Sequence, residues 1–188
     1  MYVRIAKKED AKEIRAINAY YIENTAISFG LEVPSVEDYE KRIEDTLINF
    51  PYLVAIIDDK VVGYCYACPF KDHQPALEWV IETSIYIDKD YHKKGIGKAL
   101  YTELTKYLKQ MNIVTMASCI TYTDKENKYV NNNSYHFHEA LGFKEVAKFP
   151  HIGYKFSLWH TIVWMTKDIN EHSENTPKVI PFSKLNAI

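Results

Sequence analysis

Long apolar runs are missing from this chain of 188 residues. No stretch approaches the ~20 consecutive apolar residues that a bilayer-spanning helix needs, so no membrane partner is expected. The first residues, Met1 to Asp10, alternate polar and apolar and lack the apolar centre of a secretory signal. Cysteine is scarce and odd in number, with only Cys65, Cys68 and Cys119. Three scattered thiols do not make a disulfide framework, and a reducing, cytoplasmic location is expected. Net charge is small as well: 23 Lys and Arg against 25 Asp and Glu give a formal −2. Global charge therefore gives no support to phosphate-driven nucleic-acid binding.

What is present is enough apolar material for a core. Hydrophobic residues make up 47% of the chain and aromatic residues 14%, with 15 Tyr. This composition excludes disorder along the whole chain, and the length suits one domain.

Val3 and Ile5 mark a short first strand. Ala11, Ile14, Ile17, Tyr20 and Tyr21 then recur at helical spacing. After a polar loop over 24–35, Ser35 can cap a second helix, with Asp38 as an imperfect capping-box partner. That helix stops before Pro51. Residues 52–57 and 61–68 read as a hairpin around Asp58-Asp59-Lys60. A loop over 69–75 leads to a strand from Trp79 to Ile87. A helix follows the glycine turn, with Ala99, Leu100, Leu104, Tyr107 and Leu108 on one face. Residues 114–122 form the next strand, 123–133 a polar loop, and Ser134 to Leu141 a short helix closed by Gly142. Strands are expected at 143–149 and 158–166. Residues 169–188, polar with two prolines, read as a tail that is loose or lies on the surface. The order predicts an α/β (mixed α+β) single domain over residues 1–168.

The most informative segment is His92-Lys93-Lys94-Gly95-Ile96-Gly97-Lys98, which joins a strand to a helix. Two glycines allow close approach to the backbone, and the helix start directs free N–H groups and a positive dipole end outward. With three lysines, this suits a phosphate or pyrophosphate; alone, it reads equally well as a solvated basic bend. The spacing is neither that of a P-loop nor that of a dinucleotide fingerprint.

This turn resembles the acyl-CoA pyrophosphate loop of the GCN5-related N-acetyltransferase (GNAT) superfamily, whose pattern is Arg/Gln-x-x-Gly-x-Gly/Ala. Further blocks resemble the phosphinothricin and methionine sulfoximine acetyltransferase branch. They are Pro51 to Ala55, Gly63-Tyr64-x-Tyr66-Ala67, Glu82 to Ile87, Asn131-x-x-Ser134, His138 to Phe143 and Gly153-Tyr154-Lys155-Phe156-x-x-Trp159. The similarity spans roughly residues 2–168. Departures include His92 in place of the pattern's Arg or Gln, Thr161 where the branch often has Asp, and Gly30 where an arginine often follows the aromatic.

The resemblance implies a GNAT fold: a mixed, mostly antiparallel sheet, splayed between its fourth and fifth strands and flanked by helices. Acetyl-CoA would lie in the splay as cosubstrate. The backbone of Ile85, Tyr86 and Ile87 would hold the pantetheine arm, and Lys93, Lys94, Gly95, Ile96, Gly97 and Lys98 the pyrophosphate. Asn131 would contact the cofactor from the later helix. Glu82 would be the base that takes a proton from the acceptor amine. His138, with Tyr135 as a second choice, would return a proton to the leaving thiolate. Phe29, Lys71, Pro75, Ala76, Leu77 and Tyr154 would line or bind the acceptor. A homodimer is implied as well.

The Cys65-Tyr66-Ala67-Cys68 spacing suits a metal or redox pair. In a strand, however, residues three apart face opposite ways, and no second pair follows. His136 and His138 are two apart on a predicted helix and do not share a face. No metal is expected. The implied activity is N-acetyl transfer from acetyl-CoA to a small amine, an amino acid or analogue. A protein N-terminus or lysine as acceptor, or a non-catalytic acyl-CoA sensor, are the alternatives.

Overall fold

The computed structural model describes residues 1–71 and 74–185. Residues 72–73 of the expected 69–75 loop and 186–188 of the expected tail lie outside it. The elements run β1 (Tyr2–Ile5), α1 (Ala11–Asn24), α2 (Val36–Asn49), β2 (Tyr52–Ile57), β3 (Lys60–Pro69), β4 (Val80–Ile87), α3 (Ile96–Gln110), β5 (Thr115–Tyr122), α4 (Asn133–Ala140), β6 (Lys144–Lys155) and β7 (Leu158–Asp168). The strands form one seven-stranded sheet in the order β1-β2-β3-β4-β5-β7-β6. Every pairing is antiparallel except β4 with β5. The mixed, mostly antiparallel sheet that the sequence implied is what the chain builds.

Local chemistry explains the boundaries. Ser35 and Asp38 make a full reciprocal capping box. Ser35 Oγ accepts from the Asp38 N–H at 3.0 Å, and Asp38 Oδ2 accepts from the Ser35 N–H at 2.9 Å. Such a cap contributes about 1 kcal/mol to α2. Asp58 and Asp59, with φ of 49° and 61°, form the two-residue turn between β2 and β3. Gly142, at φ 87°, closes α4.

Each face of the sheet carries its own core. On the α1/α2 face, tyrosines stack across strands: Tyr52 lies 5.0 Å from Tyr66, and Tyr64 lies 5.4 Å from Tyr86, centroid to centroid. Each such pair adds about 0.5–1.5 kcal/mol beyond its burial. On the opposite face, Leu100, Leu104 and Leu108 of α3 are fully buried against Leu53, Cys65 and Ile81. The two cysteines of the Cys65–Cys68 pair do point to opposite faces. Cys65 Sγ lies toward the Leu100 carbonyl of α3, while Cys68 stands opposite Glu82 on β4.

One segment differs from the sequence reading, and another settles between its alternatives. β6 runs on to Lys155 rather than ending at Phe149, because Phe156 and Ser157, at φ 53° and 59°, make a tight hairpin turn without glycine. Of the two readings of the tail, loose or lying on the surface, the segment after β7 takes the second and folds back onto the domain. The Trp79 indole N–H donates to the Pro177 carbonyl at 2.7 Å, and Ile180 N–H donates to Met111 at 3.0 Å. Phe182 is buried beside Tyr107 at 5.2 Å.

The feature that positions the site is the splay. β4 and β5 pair only from Val80 to Glu82 against Thr115 to Ala117. β4 continues to Ile87 and β5 to Tyr122, so the strands part immediately after Glu82.

Candidate active site

The parting strands leave a notch open to solvent and walled by residues such as Thr83, Ile85, Ser118, Cys119, Ser134 and His138. Beyond Glu82, the β4 edge that faces β5 has no strand partner among the described residues, so its peptide groups are open to a ligand, except the Ile87 carbonyl, which the Tyr21 hydroxyl and His92 engage. Side chains alternate along β4. Glu82, Ser84 and Tyr86 face α1 and α2, whereas Ile81, Thr83, Ile85 and Ile87 face α3 and α4.

Glu82 sits half-buried at the apex of the splay, opposite Cys68 on β3 and Ala117 on β5. Burial raises its carboxyl pKa, and the nearby Lys71 charge pulls it partly back. Two thiols share its surroundings. Cys119 is pushed up to about 11 and Cys68 to about 12, first by burial and then by the Glu82 charge. Both therefore remain thiols near neutral pH rather than nucleophilic thiolates.

His138 lies on the other side of β4, 2% exposed. Its Nδ1 is 2.7 Å from the Ser134 carbonyl, which can only accept, so Nδ1 carries the proton. Its Nε2 is then an acceptor for the Tyr101 hydroxyl at 3.0 Å. Burial holds its pKa down at about 4. The neutral ring thus has its one proton committed to a carbonyl. Low dielectric and the in-helix carbonyl favour the neutral ring with its proton on Nδ1. The single Tyr101 hydroxyl hydrogen has two acceptors in reach, His138 Nε2 and Thr83 Oγ1 at 3.2 Å, and Thr83 in turn lies 2.7 Å from Ser118 Oγ across the base of the notch. The second choice, Tyr135, packs on Tyr122 at 5.2 Å and is absent from the notch walls.

The glycine turn has the predicted form. Gly95 adopts φ 78° as N-cap of α3, and Lys93 is also left-handed at φ 60°. Lys93, Lys94 and Lys98 are exposed around it, while Ile96 is buried as its anchor. Gly97 is required by packing, since a Cβ there would lie 2.9 Å from the Phe137 ring of α4. Asn131 stands at the turn into α4, where its Oδ1 accepts from the Asn133 N–H at 3.1 Å.

The expected acceptor residues scatter. Phe29 packs over Gly153, where a Cβ would come within 2.2 Å of its ring, and meets His160 at 6.2 Å. Its loop is tied down by Lys155, whose buried ammonium donates to the Ile22 and Ser28 carbonyls, each at 2.6 Å. The neighbouring Ile27 reaches the notch wall. Lys71 stands close enough to act on Glu82. Pro75 and Leu77 do not reach the notch: with the exposed Ala76 between them, they border a separate open pocket shared with Val179 and Pro181. The returning tail places them there. Tyr154 pairs with Trp159 at the exposed hairpin tip, on the face of β6 opposite Gly153 and Phe29. Within one chain it is directed away from Phe29.

Sequence reasoning missed Tyr101, Thr83 and Ser118, the polar floor of the notch. Tyr101 falls among the apolar core positions of α3, and its spacing carries no sign of a hydrogen-bonding role.

A family model described as an acetyltransferase (GNAT) domain matches residues 3–164. The phosphinothricin N-acetyltransferase of Streptomyces viridochromogenes is 27% identical over 166 residues, 88% of this chain and 86% of the relative. An L-amino acid N-acyltransferase of Escherichia coli is 26% identical over 178 residues, 93% of this chain and 97% of the relative. Among solved structures, a GNAT superfamily phosphinothricin acetyltransferase from Sinorhizobium meliloti in complex with acetyl-CoA superposes with a TM-score of 0.85. It is 27% identical, and the match covers 96% of each chain.

Proposed function

The chain belongs to the GNAT acetyltransferase family, and from that membership we propose that it transfers an acetyl group from acetyl-CoA to the amino group of a small amino acid or amino-acid analogue. The observation that carries this reading is the unpaired β4 edge, which opens directly after Glu82 and leads to the glycine turn of α3. Relatives named for phosphinothricin and for L-amino acids support the acceptor class.

Residues 1–168 then form the catalytic domain, with the docked segment 169–185 as its extension. When bound, acetyl-CoA supplies an activated acetyl thioester. The open edge of β4 at Ile85, Tyr86 and Ile87 would hold the pantetheine arm as an added strand holds its neighbour, with the Ile87 carbonyl already engaged by Tyr21 and His92. The N–H groups of Gly95, Ile96, Gly97 and Lys98, with the charges of Lys93, Lys94 and Lys98, would hold the pyrophosphate. Asn131 would border the cofactor from the start of α4. Glu82 removes a proton from the acceptor's ammonium group on the α1/α2 side. Its raised carboxyl pKa brings it nearer to neutrality and so makes it a stronger base. Phe29 and Lys71 bound the acceptor on that side, and Lys71 offers a cation for a carboxylate. His138 and Tyr101 act from the other face by fixing the floor of the notch.

Three unpaired thiols support a reducing, cytoplasmic setting. The apolar side chains exposed on the β6–β7 hairpin, Phe149, Ile152, Leu158 and Trp159, support a homodimer, which sedimentation velocity tests.

The testing experiment is thiol release from acetyl-CoA over a panel of amines. The panel holds phosphinothricin, methionine sulfoximine, methionine sulfone, common amino acids, polyamines and N-terminal peptides. Acceptor-dependent release with a small amino acid or analogue supports the proposal. Release with peptides alone moves the acceptor to a protein N-terminus. Acetyl-CoA binding without release on any acceptor would replace the enzyme with a sensor.

A further inference from the structure

The first residue of the glycine turn is bound in a way that fixes its protonation chemistry. Tyr21 of α1 has a single hydroxyl hydrogen, and its oxygen lies 2.5 Å from the Ile87 carbonyl, which can only accept. Burial raises the Tyr21 pKa, so that hydrogen stays in place. The Tyr21 oxygen must then accept from its other partner, His92 Nε2, at 2.8 Å. The same nitrogen is 3.2 Å from the Ile87 carbonyl, a second acceptor. Nε2 therefore carries hydrogen in either charge state. The lone pair of the neutral ring is on Nδ1, for which no described residue offers a hydrogen bond. His92 itself is exposed. Only Nδ1 can take up a proton.

We infer that His92 makes coenzyme binding proton-coupled: its Nδ1 takes up a proton as the pyrophosphate of acetyl-CoA settles on the turn formed by Lys93 to Lys98. The inference rests on the acetyl-CoA reading above. The ring touches Tyr21 of α1 and the Ile87 carbonyl at the end of β4. Tyr20 and Asp88 lie beside Tyr21, and Lys89, Asp90, Lys93 and Lys94 are the charged neighbours of His92 along the turn. Asp90 is engaged with Lys89 at 2.8 Å. A pyrophosphate bound on the turn changes the charge beside the ring, because an anion within a few ångströms favours the imidazolium form. An imidazole is the side chain whose charge changes between about pH 5 and 8. The Arg or Gln of the family pattern has a fixed charge over that range and couples to nothing. The sign follows: an imidazolium favoured by the bound anion strengthens binding at low pH, and the gain is lost as pH rises.

Calorimetry of 3′-dephospho-CoA tests this, since that probe lacks the 3′-phosphomonoester whose own titration would add protons to the count. Titrations at pH 7 in buffers of different ionisation enthalpy give the protons taken up. Wild type should take up roughly half a proton, and its Kd should rise about three- to tenfold from pH 6 to pH 8. His92→Gln should bind with no uptake and a flat pH profile. His92→Arg should bind at least as tightly as wild type, also with a flat profile. Binding by wild type without uptake, or equal uptake in His92→Gln, would overturn the inference. Failure of wild type to bind either CoA or 3′-dephospho-CoA would remove the acetyl-CoA reading itself.

Discussion

Replacing Glu82 by Gln keeps the shape of the side chain and deletes the base. A positioned base contributes about 10²–10⁴-fold, so kcat should fall by that factor, equivalent to about 3–5 kcal/mol at the barrier. Acetyl-CoA affinity should hold, because the glycine turn and the open β4 edge are untouched. The pH profile carries the sharper signature. The base works when ionised, so kcat/KM should rise with pH through the elevated Glu82 carboxyl pKa and then level off. Glu82→Gln should erase that limb. Lys71→Ala should move it to higher pH, since Lys71 is the charge that opposes the effect of burial. Stability has the opposite sign. A carboxyl whose folded pKa exceeds its unfolded value binds its proton more tightly in the native state, so its ionisation costs stability as pH rises through that window. At pH 7 the Gln variant should therefore be neutral or more stable, by under about 1 kcal/mol for a half-exposed group. Steady-state kinetics over pH 5–9, with thermal melts alongside, would check all of this. Turnover within about threefold of wild type on a confirmed acceptor would refute Glu82 as the base.

Tyr101→Phe removes the hydroxyl that links His138 Nε2 to Thr83 Oγ1 and leaves a buried polar atom without its partner. It should cost about 1–3 kcal/mol and lower Tm by roughly 3–10 °C, with a smaller effect on kcat than Glu82→Gln. Gly97→Ala forces its Cβ against the Phe137 ring at 2.9 Å, so α4 must shift against the start of α3. Calorimetry should show acetyl-CoA binding weakened by about tenfold, with a stability loss of about 1–3 kcal/mol. Gly95→Ala meets nothing within 4 Å but must hold φ near 78°. Its cost should be about 1–2 kcal/mol from backbone strain alone, visible in melts. Lys155→Met deletes both bonds to the Ile22 and Ser28 carbonyls and frees the loop that carries Phe29. Acceptor KM should rise several-fold with kcat changed less; an unchanged KM would remove that loop from the acceptor site.

The outline of the fold was legible because each element states itself locally. The apolar period of α3, the capping pair Ser35 and Asp38, the Asp58-Asp59 turn and Gly142 are all short-range signals, and the structure has each of them in place. The hairpin of β6 and β7 was only half legible. Its turn uses Phe156 and Ser157 in a left-handed conformation that glycine or asparagine would have announced. The tail was only partly legible: its polar composition suits a surface segment, but Phe182 finds its partner Tyr107 across 74 intervening positions and no local period reports such a contact.

The candidate site divides in the same way. The sequence by itself determined the glycine turn and the placement of Glu82 on β4, because backbone conformation and strand alternation are properties of neighbouring residues. Tertiary structure alone decided where β4 leaves β5, and so that Glu82 stands at the apex of an open edge. It also decided that Pro75 to Leu77 belong with the returning tail. It fixed the protons of His138 and His92, since a ring's tautomer depends on the carbonyl or hydroxyl that long-range packing sets beside each nitrogen. Residue type gives a histidine its capacity to hold a proton. The neighbours supplied by the fold determine which atom holds it and whether it can leave.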